Sequence, residues 1–405
     1  MTTFIYKIKD ENAKVYSGVS DAEDIKSLKI SLRDHGWYVI AVHPLAKRPK
    51  LFFLKKGVGL DDLIMFTHQL GSMLEAGIPM LRAMDILWKQ IDNPRLQIVV
   101  SQLKNKLAQG ASITEAFNSF PDVFPVLYRA LLGVADVGAN LVKILRKLLE
   151  YLLNQKEFLF KLKKAITYPV IVICFAVVVV IIMLIWVIPT FQIVFVKINV
   201  ELPLFTQIVI KISMLMRTFY FWVAAVLISA ALVYLYKKFS ATKRGRDIID
   251  ELKLKLFIFG PIIEAACISR LVRSLSLLLS GGLPIAKSIE VSKATAINTK
   301  FIKALDTVGK KITEGTTLAA SFALTKAFPS FLVEMISVGE ESGTLIEMLE
   351  RVAVHYEENF DFKLNRFLTL LEPLLIIFVG GLVIFILLSI YLPIMKLWGG
   401  LVGAH

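Results

Sequence analysis

The residues in this chain best placed to do chemistry are charged pairs and small acidic turns. Arg82 and Asp85 stand three residues apart, and so do Lys287 and Glu290. On a helix that spacing brings two side chains face to face. As a surface ion pair each is worth under about 1 kcal/mol; the sharper reading is a recurring contact for a partner. The run Gly339-Glu340-Glu341-Ser342-Gly343 sets two carboxylates between glycines, which admit the positive φ of a tight turn. It reads either as a helix end with a solvated turn or as an acidic knob for a basic surface. Two carboxylates hold a hard cation only with further oxygen ligands, so no metal is assigned. Glu372 precedes Pro373 at the start of a long apolar run, where an acid is costly and marks function by default. His35, His43, His68, His355 and His405 show no ligand spacing, and Cys174 and Cys267 form neither a disulfide framework nor a zinc pattern. No phosphate-cradling loop, HExxH or Ser–His–Asp set occurs. Such residues suit binding rather than catalysis. No cofactor is expected, and any energy must come from a partner.

These residues sit in a chain of 405 residues, 56% hydrophobic and 20% charged, with a formal net charge of +14. The apolar share exceeds that of soluble domains and is gathered into a few long runs, which points to membrane insertion. Basic residues collect on the cytoplasmic side of membrane proteins, so the charge needs no nucleic acid, and none is expected. The opening MTTFIYKIKDENAK has no apolar core of a signal peptide. The chain is expected to insert through internal helices.

Three runs are long enough to span: 166–189, 218–236 and 367–395, the last carrying Glu372. Lys156, Lys161, Lys163 and Lys164 precede the first, a basic cluster from Lys237 to Arg246 follows the second, and Lys363 and Arg366 precede the third. The positive-inside rule then predicts a cytoplasmic N-terminus, an outside loop at 190–217 and an outside tail at 396–405. Aromatic residues such as Trp186, Trp222 and Tyr236 cluster at the span ends, as interfacial anchors do.

The chain also repeats itself. LGSMLEAGIPMLRAMDI from Leu70 aligns with LSLLLSGGLPIAKSIEV from Leu275, 205 residues on. Gly77 meets Gly282, Pro79 meets Pro284, Arg82 meets Lys287 and Asp85 meets Glu290. FPVLYRALLGVADVGANL from Phe124 then aligns with FPSFLVEMISVGEESGTL from Phe328, 204 residues on. Pro169 and Pro189 bracket the first span as Pro373 and Pro393 bracket the third. One slipped residue over such a length signals a duplicated unit. Within each unit the apolar spacing is helical. Gly77 should end a helix and Pro79 open the next. Ser112 and Glu115 form a capping box, which Ala320 leaves incomplete in the second copy.

The fold expected is therefore an all-α polytopic membrane protein with two homologous helical-bundle modules at 57–165 and 237–366. A small α/β segment and linker should occupy residues 1–56. There FIYKIKD and WYVIAVHP read as strands around a helix from about Asp21 to His35, ahead of the linker KRPKLFFLKKGVG. The bracketing prolines read either as span ends or as hinges.

KLKKAITYP opening the first span, VIP closing it, ELPLFT after it, the AGIP and GGLP turns, and GEESGTL together resemble the type II secretion F protein family. Its members are inner-membrane platform proteins of type IV pilus and type II secretion machines. The resemblance implies a non-enzymatic platform that couples a hexameric cytoplasmic ATPase to pilin or pseudopilin helices, alongside other inner-membrane assembly proteins and membrane lipid. Three spans per chain are few for a platform that must grip a filament base, so a homodimer or larger is expected. Arg82, Asp85, Asp136, Lys287, Glu290, Glu340, Glu341 and Glu372 become candidate contacts, while Gly77, Pro79, Gly282, Pro284, Gly343 and the four bracketing prolines shape the turns and spans. The first module departs from the GExxGxL pattern: it keeps Asp136 but has Ala139 where the second has Gly343. That departure leaves open whether both loops serve one contact. A secondary transporter would have many more spans and midplane polar breaks, and a prepilin peptidase would need paired intramembrane aspartates.

Overall fold

The structure is a computed structural model describing residues 2–9, 15–22, 24–34, 38–44, 57–136, 140–197 and 204–402. It divides into two units, Met1–Gly57 and Val58–His405. In the first, strand β1 (Thr2–Lys9) lies between β2 (Val15–Ala22) and β3 (Tyr38–Pro44), both antiparallel to it. The expected strands at both ends are present. The helix α1 starts later than expected, at Ile25, and ends at Asp34. Strand β2 was not expected, because VYSGVSDA is rich in the glycine, serine and aspartate that strands disfavour. Of the expected linker, residues 47–56 lie outside the described residues.

The second unit begins with α2 (Leu60–Glu75), α3 (Met80–Gln90), α4 (Pro94–Ala108), α5 (Ile113–Asn118) and α6 (Val126–Ala135). Then comes α7 (Leu141–Ile182), continued through a π-helical turn at Met183–Val187 into α8 (Ile188–Lys197). Helices α9 (Leu204–Arg217), α10 (Phe219–Ala241) and α11 (Lys243–Lys255) lead to the second copy. That copy comprises α12 (Phe259–Ser280), α13 (Ile285–Thr295), α14 (Thr299–Thr313), α15 (Leu318–Leu324), α16 (Ser330–Ser342) and α17 (Leu345–Val402). Helices α3 and α4 start 205 residues before α13 and α14, and α7 starts 204 before α17, as the repeat required.

The turns repeat atom for atom. Gly77 has φ +80°, its N–H donates to Leu74 O, and Ile78 N–H donates to Met73 O at 3.0 Å. Gly282 has φ +97°, with Leu283 N–H donating to Leu278 O at 3.1 Å. Both are Schellman turns, which need a residue free of Cβ strain. Pro79 and Pro284 occupy the N-cap, one place ahead of the first helical position. The cores repeat as well. Phe117 packs edge-on to Phe124 at 4.7 Å, and Phe322 packs on Phe328 at 4.6 Å. Such pairs add about 0.5–1.5 kcal/mol beyond burial.

Among the described residues three helices are long and apolar enough to cross a membrane, and they cover the three expected runs apart from Thr218, which caps α10. Their bounds differ from expectation. The bracketing prolines end no helix: Pro169 lies inside α7, Pro189 at the second position of α8, and Pro373 and Pro393 inside α17. Proline's fixed φ fits a helix, and its cost is one missing hydrogen bond and a clash with the carbonyl four residues back. Before Pro189 the chain answers that clash with the π-helical turn. Ser213 on α9 donates to the Leu184 carbonyl within this turn, which supplies a partner where lipid cannot. The expected loop at 190–217 is largely helical. Residues 198–203, with part of ELPLFT, lie outside the described residues. The rest of that stretch opens α9, which packs on the π-helical turn and on α17. There Thr206 Oγ1 donates to Ser389 O at 3.2 Å.

Candidate functional site

The acids flagged in the two equivalent loops do the same local work. Asp136 accepts from the backbone N–H of Ile113 at 3.0 Å and of Thr114 at 2.8 Å, and from the Thr114 hydroxyl. Glu340, its counterpart 204 residues on, accepts from Leu318 N–H at 2.6 Å and Ala319 N–H at 2.8 Å. These are the first two amides of α5 and α15. Ser112 and Thr317 take the third, at Glu115 and Ala320. Glu115 returns the capping-box bond and Ala320 cannot. Helix N-termini leave such amides orphaned, and an anion satisfies both the donors and the dipole. Burial raises the Asp136 pKa, but the bonds from Thr114 and Ile113 outweigh it and hold the carboxyl below its usual range.

The expected acidic knob is therefore divided. Glu340 is turned inward as a brace, while Glu341 stays exposed and accepts from Ser337 Oγ at 3.1 Å. Gly343 adopts φ +71° at the C-cap of α16, so the expected turn is present. Its counterpart Ala139 lies outside the described residues.

The repeated charged pairs part company. Lys287 and Glu290 pair on α13 at 2.8 Å, both more than half exposed. Asp85 does not pair with Arg82; it bonds Lys104 across α3 and α4 at 2.5 Å. The Lys104 ammonium holds its carboxyl below the usual range. The exposed Arg82 occupies the place of Lys287 beside the Gly77 turn.

At the base of the spans, Lys161 bonds Glu157 on its own helix at 3.0 Å and Asp361 of α17 at 2.6 Å. Glu157 and Asp361 are equivalent positions of the repeat, so one lysine ties the two long helices through a duplicated acid. Below it opens a groove between α7 and α17, lined by Lys164, Tyr168, Pro169, Thr369 and Glu372. Glu372 and its counterpart Tyr168 thus line one groove, on opposite walls. Arg273 of α12 makes a two-pronged bond to Glu357 of α17 at 2.9 and 2.7 Å. Reasoning from sequence missed Lys161, Asp361, Arg273 and Glu357. The Glu157–Asp361 equivalence could have revealed the first two, but the Arg273–Glu357 separation of 84 residues carries no local signal.

The copies also meet each other. Leu278, Leu283 and Val291 join the core of the first module. Lys147 Nζ donates to Ser280 O at 2.8 Å. Among the described residues no group of three or more His, Cys, Asp or Glu side chains is placed to hold a metal. Burial pushes the Cys267 thiol up to about 11.

Fold and geometry define a membrane scaffold: a duplicated helical bundle whose two copies each run on into an apolar helix. The type II secretion system protein F family model matches the chain twice, over residues 66–189 and 271–393. Both matches end on a bracketing proline. The chain belongs to this family. It is 32% identical to a type IV pilus assembly protein, PilC, of Myxococcus xanthus, covering 98% of this chain and 95% of that one. It is 32% identical to PilC of Thermus thermophilus, covering 99% of each. It is 26% identical to type II secretion system protein F of Vibrio cholerae, covering 98% of each.

Proposed function

We propose that this chain is a non-enzymatic inner-membrane platform protein of type IV pilus assembly. The observation that carries this reading is near-full-length similarity to pilus assembly proteins at 30–33% identity, against 26% for the secretion proteins. The fold suits the task. Each bundle joins its span without a break, so force applied to a bundle reaches the bilayer. In this reading a hexameric ATPase engages the bundles from the cytoplasm, where the basic flanks place 57–165 and 237–366. Residues 166–189, 218–236 and 367–395 lie in the bilayer, with the C-terminus outside. The spans receive the apolar helix of a pilin, and the platform works as a homodimer or larger alongside other assembly proteins. Arg82, Lys287, Glu290 and Glu341 are solvated and stand available for the ATPase or a neighbour. Glu372 serves the groove that meets a pilin or platform helix.

Deleting the gene, with electron microscopy of surface filaments and an assay of exported proteins in the same cells, tests the reading. Loss of filaments with normal export is expected. Loss of export alone would move the assignment to type II secretion, and no change in either would end it.

A further inference from the structure

The internal duplication leaves each half of one joint duplicated but unused. Within the chain, α6 of the first module seats on the α12–α13 turn of the second. Leu127 and Leu131 are buried on one side, and Leu278 and Leu283 on the other at 0% and 8% exposure. The approach is close: a Cβ on Gly281 would lie 2.6 Å from Leu131 Cδ2. Each module should therefore own both faces, and the unused pair can be read from the repeat. On α16 the counterparts of Leu127, Leu131 and Val134 are Phe331, Met335 and Val338. They remain apolar, yet Phe331 is 39% and Val338 52% exposed. On the α2–α3 turn the counterparts of Leu278, Leu283 and Val291 are Met73, Ile78 and Ile86. They too remain apolar and are only partly covered.

We propose that a second copy of this chain docks through these faces, α16 of one copy seating on the α2–α3 turn of the next. This deepens the self-association included in the proposed function and rests on it. The occupant is fixed by the repeat itself, because a homologous pair of surfaces is already joined inside the chain. The differences between the two joints also compensate. Gly281 becomes Ala76, which adds a methyl, and the opposing Leu131 becomes the unbranched Met335, which can yield. Lys147, which reaches Ser280 O in the internal joint, becomes Arg351, and Ser280 becomes Glu75. The new joint thus sets a cation against a carboxylate, which favours this register over others. In the single chain both are solvated and paired within their own module, Arg351 with Glu347 and Glu75 with Arg146. Such a contact is heterologous, so two copies close if both joints form, and copies add in a row if they do not.

The test uses two tagged copies of the full chain in one membrane, each carrying Cys174→Ser. One copy has Ala76→Cys and the other Met335→Cys, and a short bis-maleimide is added. A crosslinked species carrying both tags is expected, about tenfold above a control with Leu252→Cys, exposed on α11, in place of Met335→Cys. Val338→Glu should cut that yield about tenfold without moving the melting temperature, as losing a central apolar anchor does. If the tags co-purify but the pair crosslinks no better than the control, or Val338→Glu changes nothing, the contact is wrong while self-association stands. If the tags do not co-purify, self-association itself falls and the contact with it.

Discussion

At the scale of single residues, the molecule spends its acids on helix ends. Replacing Glu340 by Gln or Asp136 by Asn keeps the shape but removes the charge from two amides. Each change should cost about 0.5–2 kcal/mol, the range of a lost N-cap, read as a lower melting temperature in detergent. The pH dependence has a definite sign. The Asp136 pKa is lowered in the fold, so its contribution is fully present above the unfolded value of about 3.9. It is lost as pH falls through the lower folded value. An Asp136→Asn chain should therefore show a flatter loss of stability in that acid window. Cys267 offers a simpler check: buried, with its thiol raised to about 11, it should resist maleimide at neutral pH until the fold is opened. Glu372→Gln should reduce filament assembly while expression and membrane insertion stay normal; unchanged filaments would remove Glu372 from the working surface.

At the scale of elements, what was legible in the sequence was local. Gly77 and Gly282 announced their turns because the Schellman geometry is written within six residues. The Ser112–Glu115 box likewise needs only four. Two things were not legible. Pro169 and Pro373 read either as span ends or as hinges because proline removes a donor, and the structure runs a helix through each. Helix α9 lay in a stretch that reads as an outside loop, and its packing on the π-helical turn, α17, α8 and α10 holds it. The groove acids illustrate the same limit: Glu372 drew notice as an acid in an apolar run, while Lys161 looked like an ordinary flanking charge and nothing singled out Asp361. Close approach between elements yields a further prediction. A Cβ on Gly339 would lie 2.8 Å from Leu345 Cα and 3.2 Å from Met348. Gly339→Ala should therefore destabilise the second module by about 1–3 kcal/mol, the cost of overpacking. Gly380→Ala, where nothing lies within 4 Å, serves as its control in the same denaturation assay.

At the scale of the whole molecule, duplication explains both the paired bundles and the odd number of apolar helices: each copy brings one, and α10 is added between them. In the proposed topology an odd count of spans carries the two ends of the chain to opposite faces of the bilayer. With Cys174→Ser as background, a cysteine at His405 should react with an impermeant thiol reagent in intact spheroplasts. One at Leu252 should react only after permeabilisation, and the reverse pattern would invert the topology. The long helices have a further mechanical consequence. Helix α17 has 58 residues, which at 1.5 Å each is about 87 Å of unbroken rod. The hydrocarbon layer takes up only about 30 Å of that length. With residues 367–395 in the bilayer, the 22 residues of α17 ahead of them, about 33 Å of rod, would stand clear as a handle with the membrane as fulcrum, and a swing of that arm in the water would reappear, reversed, at the far leaflet.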